Sequence, residues 1–358
     1  MSRNPHTRTA VKTVALIEAG SPGLNIYSHV AMGRGVALLA TVLRGLGYEC
    51  TAFVEDISGK DSVDWEFVAR CDVVGFSTIT CTMPRTLELL EQTRAVNPGA
   101  VTVFGGPEST CEPGRSLDAG ADYVIKGEAE TTLPQLLQAL GGRDSRLDRI
   151  PGLVWRDDDG REQGGRESEQ LTREQLDALP LLDHSAVYGP RATVAPVWHA
   201  RGCPQRCDFC EVCEIWPRYV RRDEDRCVAE LVQAQDEGYS AAFLIDDNAA
   251  ANKPAFKEFL RKAAKGGFAR MLVTQLRADA VLTKEGKPDR ELLRLLRKAA
   301  SVTVICVGVE SADSESLERM HKSMDESRMA RGLKAVSYTH LTLPTKESRC
   351  RSRWSPEH

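Results

Sequence analysis

Cys203, Cys207 and Cys210 stand in the stretch Ala200-Arg-Gly-Cys203-Pro-Gln-Arg-Cys207-Asp-Phe-Cys210, spaced C-x3-C-x2-C. Closely spaced cysteine thiolates hold iron–sulfur clusters, and a full set takes four. Three on one tight loop can hold a cubane by three of its four irons, which leaves one iron open. An open coordination position separates a reactive metal site from a structural one. Cys213 follows at a further x2 spacing, so a second arrangement exists: four cysteines closing a tetrahedral zinc site or a fully ligated electron-transfer cluster. No second C-x2-C or Cys/His pair lies downstream at finger spacing. The loop also follows a strand-like run and opens a long β/α series, unlike a small zinc module. The spacing therefore favours the open cubane, with Cys213 a bystander or a residue near substrate.

Two sets of elements must position this loop. From residue 12 to about 140, strand and helix patterns alternate with short connections, which predicts a parallel sheet covered on both faces. Strands are expected at 13–18, 49–54, 73–77, 101–105 and 123–126, and helices at 36–46, 83–95 and 131–140. The helix at 83–95 sets Met83, Leu87 and Leu90 on one face, with Pro84 in its first turn, where a missing N–H costs nothing. Such a five-stranded, doubly wound, flavodoxin-like sheet binds ligands beyond the carboxyl ends of its strands. Those ends carry Ser77-Thr78-Ile79-Thr80, Gly105-Gly106-Pro107-Glu108 and Lys126-Gly127-Glu128. Small hydroxyl residues and paired glycines let a large flat group approach the backbone.

Residues 141–193 change character. An apolar strand, the Asp157-Asp158-Asp159-Gly160 turn and a charged return predict a short hairpin within a linker. After the cluster loop, helices are expected at 226–235, 254–265 and 291–300. Strands are expected at 194–198, 241–245, 271–276 and 302–309. Repeated β/α units predict a barrel-type parallel sheet with its chemistry at the strand carboxyl ends. The polar residues at those ends are Asp246, Asp247 and Asn248, then Gln275 and Arg277, then Glu310 and Ser311.

The bulk properties narrow the class. The chain has 358 residues, long enough for two domains, and is 42% hydrophobic and 27% charged, ordinary for a soluble protein. A net charge of −4 gives no reason to expect a nucleic-acid partner. The basic run Arg218-Tyr-Val-Arg221-Arg222 is short enough to be a solvated surface. No apolar run reaches the roughly 18 residues of a membrane span, and the N-terminus lacks a signal-peptide core. A cytoplasmic protein is expected. Of the eleven cysteines only the group at Cys203 is tightly spaced, so no disulfide is assigned.

The cysteine motif, with Phe209 just before its third cysteine, resembles the signature of the radical S-adenosylmethionine (radical SAM) enzymes. The resemblance implies a 4Fe-4S cluster on Cys203, Cys207 and Cys210. Its open iron would chelate the amine and carboxylate of S-adenosylmethionine, whose reductive cleavage gives a 5′-deoxyadenosyl radical. It further implies S-adenosylmethionine contacts at Phe209, Asp246, Asp247, Asn248, Gln275, Arg277, Glu310 and Ser311. Family members use a partial barrel of six β/α units, of which this sequence supplies four. The first domain resembles the cobalamin-binding domain, and that likeness places a cobalamin contact at each of Ser77, Thr78, Thr80, Gly105, Gly106, Glu108, Gly127 and Glu128. The family's Asp-x-His-x-x-Gly is missing: the nearest histidine is His29, with Tyr27 before it and Met32 where glycine should stand. Cobalamin would then bind without a protein histidine, or the domain would serve as a scaffold.

Together these resemblances, over roughly residues 12–334, imply a cobalamin-dependent radical SAM enzyme. Its expected reaction is methyl transfer to an unactivated carbon of a small-molecule substrate, with flavodoxin or ferredoxin as electron donor. The alternatives are a radical SAM cyclase or rearrangement enzyme, and a non-catalytic metal-binding scaffold. The expected domains are residues 1–140, the linker 141–193 and the partial barrel 194–334. From about residue 335 the string Val-Ser-Tyr-Thr-His-Leu-Thr-Leu-Pro-Thr resembles translated adapter read-through. The expectation is a non-native tail there, a truncated barrel and an exposed fourth strand.

Overall fold

In the computed structural model, residues 11–22, 33–142 and 146–337 are described. The first sheet contains β1 (Thr13–Glu18), β2 (Glu49–Val54), β3 (Val73–Ser77), β4 (Val101–Gly105) and β5 (Tyr123–Ile125), parallel and in the order β2-β1-β3-β4-β5. This is the doubly wound order expected from the sequence, with its ligand crevice at the strand carboxyl ends. The strands read as near-continuous apolar runs because helices cover both faces. One face packs Leu16, Val36, Leu43, Val103 and Leu136 against the helices Arg34–Gly45 and Ala129–Leu140. The other packs Ile17, Phe53, Phe76 and Phe104 against the helix Met83–Val96, where Met83, Leu89 and Leu90 are buried and Leu87 partly so.

The expected hairpin forms, as β6 (Leu153–Arg156) and β7 (Glu162–Gly164). It belongs to the first sheet: β6 pairs antiparallel with β5, making seven strands. Asp157 shapes the turn, its carboxylate accepting the backbone N–H of Asp159 and of Arg161. The rest of the linker is packed as well. Leu171, Leu176, Leu182 and Ala186 join the first core, and the helix Arg173–Ala178 carries a capping box on Thr172 and Gln175.

The second sheet is built from β8 (Val194–Val197), β11 (Ala241–Leu244), β12 (Met271–Leu276) and β13 (Val302–Val307), all parallel, in the order β13-β12-β11-β8. Between β8 and β11 the chain makes a two-stranded ribbon, β9 (Ala200–Arg201) with β10 (Val220–Arg221). The helices Glu224–Asp236, Lys253–Lys265 and Arg290–Lys298 cover one face and bury Leu231, Phe256, Phe259, Leu260 and Leu292. In the first of these the buried positions are Glu224, Cys227, Glu230, Leu231 and Ala234. At the edge, Val302 is 51% and Val304 38% exposed. The helix Glu326–Ser337 buries Met329, Ala335 and Val336, so regular packing continues past residue 334. The expected tail beyond 337 lies outside the described residues, as do Tyr27, His29 and Met32. Among the described residues no helix is long and apolar enough to cross a membrane.

Candidate active site

The cluster loop is set by its two ends. Before it, β9 is tied to β10, and Gly202 turns the chain at φ +78°, where a Cβ would stand 2.6 Å from the Arg218 carbonyl oxygen. Only glycine fits that turn. Cys203, Cys207 and Cys210 are all half-buried, and the Cys210 N–H donates to the Cys207 carbonyl at 3.1 Å. Burial pushes the Cys207 and Cys210 thiols up; at Cys207 the positive charges of Arg277 and Lys322 oppose it. The Cys213 thiol is turned back onto its own loop, donating to the Gln205 carbonyl at 3.0 Å. Among the described residues no three Cys, His, Asp or Glu side chains converge where a single ion could sit. A loop of three cysteines suits a cluster, in which each thiolate would take its own iron.

The end of β11 divides its polar residues between two environments. Asp246 turns inward: its carboxylate accepts the His199 N–H at 2.8 Å and lies 3.3 Å from His199 Nδ1. Burial opposes charge on His199, but the carboxylates of Asp246 and Glu224 raise its pKa to about 9. The contact is ionic and not well aligned, since among the described residues both imidazole nitrogens and Asp246 Oδ2 lack a hydrogen-bond partner. Asp247 points the other way, into a cavity, and burial with the charge of Asp246 pushes its pKa up to about 6. Asn248, 5% exposed, donates from Nδ2 towards Cys203 Sγ at 3.9 Å, and its Oδ1 has no partner among the described residues. Trp216 Nε1 is also buried without a partner among the described residues. Unsatisfied buried polar atoms are rare in folded proteins, and Asn248 is one that lies next to a cluster cysteine.

That cavity, about 430 Å³, lies between the two sheets, within the roughly 300–1,000 Å³ range of cofactor sites. Ser77, Gly105, Gly106, Gly127 and Glu128 line it from the first sheet, and Trp198, Arg201, Trp216, Ile245 and Asp247 from the cluster side. Gly106 adopts φ +97°, and a Cβ there would stand 2.7 Å from the Thr78 carbonyl oxygen. A large flat ligand can therefore approach the backbone at that turn. Largely apolar walls with a few polar groups suit a macrocycle. Glu18, at the end of β1, is the acidic group on the far wall; burial, then the charge of Asp56, pushes it up to about 7. A second cavity of about 1000 Å³ adjoins the first, sharing Thr110, Gly127, Glu128 and Ile215, with the linker on its outer side. The smaller one is the candidate site, because residues from both sheets meet there.

A buried ionic seam frames the cavity. Arg201, two residues before Cys203, binds Glu128 and Glu130 and stacks 3.4 Å from the Trp198 ring centroid. Arg34 of the first domain and Arg222 share Glu230, at 2.7 and 2.8 Å. All six charged side chains are under one-tenth exposed.

The remaining expected site residues are placed differently. Thr78 is fully buried and bonds Ser109, while Thr80 bonds Glu108, which pairs with Arg115. None of Thr78, Thr80 and Glu108 lines the cavity. Glu128 lines it but is held by Arg201 and by the Leu171 N–H. Arg277 donates to the carbonyls of Lys322 and Ser323, and Glu310 pairs with Lys322 at 2.9 Å. Ser311 accepts the Asp313 N–H in the turn before the helix Ser314–Arg319. Gln275 donates weakly to the Asp246 carbonyl at 3.4 Å, and Phe209 is 49% exposed. Sequence reasoning missed Glu18, Arg34, Trp198, His199, Arg201, Trp216 and Lys322. The one signal available for them was chain proximity, since His199 and Arg201 lie just before Cys203.

Comparison with known proteins agrees with this geometry. The family model described as B12 binding domain matches residues 28–137, and the Radical SAM superfamily matches residues 198–338. The chain is 27% identical over 296 residues to a hopanoid C-3 methylase of Methylococcus capsulatus, covering 80% of this chain and 55% of that protein. It is 28% identical over 302 residues to an anaerobic magnesium-protoporphyrin IX monomethyl ester cyclase of Rubrivivax gelatinosus, covering 80% and 53%. The chain thus spans about half the length of the curated relatives it matches. Among solved structures, the radical SAM methyltransferase TsrM of Kitasatospora setae, with tryptophan substrate and an S-adenosylmethionine analogue, superposes with TM-score 0.72. The identity is 19%, over 91% of this chain and 66% of that one. The cobalamin-dependent S-adenosylmethionine radical enzyme OxsB, with aqua-cobalamin bound, gives TM-score 0.73 at 16% identity, over 91% and 48%.

Proposed function

We propose that this chain, a cobalamin-binding-domain radical SAM protein, serves a cobalamin-dependent methyltransferase acting on an unactivated carbon of a small molecule. The observation that carries this reading is the shared cavity. The strand ends of the first sheet and the segments flanking the cluster loop wall one space, so a corrinoid held there would lie next to that loop. When bound, the cluster and S-adenosylmethionine supply a 5′-deoxyadenosyl radical, and the corrinoid supplies a transferable methyl group.

The chain's own residues bind, orient and exclude water. Cys203, Cys207 and Cys210 are the proposed cluster ligands. Asn248 Oδ1 and the Asp247 carboxylate are acceptors beside Cys203 for an ammonium group such as the methionyl amine. Gly105, Gly106 and Gly127 let the macrocycle lie against the backbone, and Trp198, Ile245 and Leu133 keep water out. A site with an open iron needs a reducing compartment and a low-potential electron donor, so we place it in the cytoplasm with a flavodoxin or ferredoxin.

The cyclase relative favours a second reading, the same cofactors used for cyclisation. Anaerobic reconstitution of the chain with iron, sulfide and hydroxocobalamin tests both. S-adenosylmethionine should perturb the electron paramagnetic resonance (EPR) signal of the reduced cluster. S-adenosylhomocysteine formed alongside 5′-deoxyadenosine supports methyl transfer, and 5′-deoxyadenosine alone favours cyclisation. Protein that holds only zinc, or a cluster indifferent to S-adenosylmethionine, refutes both and leaves a scaffold.

A further inference from the structure

A short strap after β13 closes over the cluster loop, and it holds a buried amine. The strap is bent against its own preferences. Glu310, His321 and Ser323 have φ of +59°, +50° and +51°, three of the four positive-φ non-glycine residues among those described. Side chains with a Cβ adopt this conformation rarely, so the surroundings must enforce it. They do so from two sides. The Asp208 N–H donates to the Met320 carbonyl at 3.1 Å, and the Asp208 carboxylate meets His321 Nδ1 at 2.7 Å. Arg277 at the end of β12 donates to the carbonyls of Lys322 and Ser323 at 2.8 and 3.0 Å.

Between the two strained residues lies Lys322, with a side chain only 6% exposed. Its Nζ donates to the Gly308 carbonyl and to Glu310 Oε1, both at 2.9 Å, and sits 5.7 Å from the Phe209 ring centroid. A long flexible cation is rarely buried without a purpose for its charge. Here the amine is fixed between two cluster cysteines' neighbour, Phe209, and the end of β13.

We propose that Lys322 is a positioning residue that raises the reduction potential of the cluster held by Cys203, Cys207 and Cys210, with Glu310 as its counter-charge. The inference rests on the function proposed above. A cubane with three thiolates carries one negative charge when oxidised and two after accepting one electron from a low-potential donor; no bond breaks and no proton moves. Lys322 lies against Phe209, next to Cys210, and fixed charges and hydrogen bonds around a cluster set its potential. Low local polarity makes a buried ammonium more effective than a solvated one.

The test is an anaerobic EPR redox titration with dithionite and mediators on the reconstituted chain. Lys322→Met should move the midpoint to lower potential, so that several-fold less cluster is reduced at a fixed potential. Glu310→Gln, which keeps the size of the side chain and removes its charge, should move it upward. Lys322→Arg should stay near the parent. Opposite shifts are the discriminating result, because a strap that merely loosened would move both variants the same way. Unchanged midpoints, or shifts of one sign, overturn the proposal while leaving the function above intact. If Lys322→Met fails to hold a cluster, the sign of the Glu310→Gln shift decides. A parent chain that assembles no reducible cluster removes the proposed function and this inference with it.

Discussion

Replacing Arg201 with methionine should destabilise the protein and loosen its grip on a corrinoid together. Arg201 joins Glu128 and Glu130 of the first domain to the strand that leads into the cluster loop, and its guanidinium stacks on Trp198. All three charged side chains are under one-tenth exposed. Methionine keeps much of the packing but strands two adjacent carboxylates in a dry seam. Removing one partner of a buried ion pair costs about 3–5 kcal/mol. For domains of this size that corresponds to a fall in melting temperature of roughly 6–20 °C. Glu128 should respond by taking a proton. Burial already pushes Glu128 up and Arg201 holds it back, so without Arg201 it rises further. At Glu128 the folded variant then binds more proton than the unfolded chain, so its deficit relative to the parent must shrink as pH falls below neutrality. Thermal unfolding by circular dichroism at neutral and mildly acidic pH measures both effects. Retention of hydroxocobalamin after desalting measures the cavity wall. Arg201→Met combined with Glu128→Gln and Glu130→Gln should recover much of the loss, because glutamine still accepts the Leu171 N–H that Glu128 accepts now. A single variant melting within about 2 °C of the parent, or a triple variant no better than the single one, would refute the reasoning.

Cys213→Ala should leave the iron content and visible spectrum of reconstituted protein unchanged, whereas Cys203→Ala should abolish both, because Cys213 is turned onto the Gln205 carbonyl. Equal iron loss in the two variants would restore the four-cysteine site. Gly106→Ala should abolish cobalamin retention and lower stability, since its backbone has φ +97° and the new Cβ would meet Thr78 backbone atoms at 2.7 and 2.9 Å; equilibrium dialysis and thermal melts check it. His199 has a folded pKa raised from 6.5 to about 9, so its ionic contribution is complete below pH 6.5 and is lost as pH rises through about 9. The melting temperature should fall across that window, and in His199→Gln the fall should flatten.

Much of this architecture could be read from the chain because its signals are local. Parallel strands buried on both faces need unbroken apolar runs, so β1 to β4 were found at their bounds, and β5 with one residue to spare. The helices Pro107–Cys111 and Pro113–Asp118 escaped notice, being short, proline-led and without an apolar period. The hairpin was legible from its Asp-Gly turn. Its membership of the first sheet was not, since pairing with β5 is a long-range contact.

The cysteine spacing by itself determined the kind of chemistry this protein supports, because three thiolates within eight positions can meet one cluster on any fold that lets the loop close. The glycine pairs at strand ends likewise marked where a flat ligand could lie. Tertiary structure alone decided which polar residues are free to act. Asp246 and Asp247 are neighbours of the same type just beyond β11, yet one is spent on His199 and the other faces the cavity, because the chain turns between them. Arg201 and Lys322 are ordinary charges until distant segments bury them: one meets carboxylates 71 and 73 positions away in the chain, the other lies over Phe209. Charge becomes influential when packing removes the water around it, and no stretch of sequence reports that packing in advance.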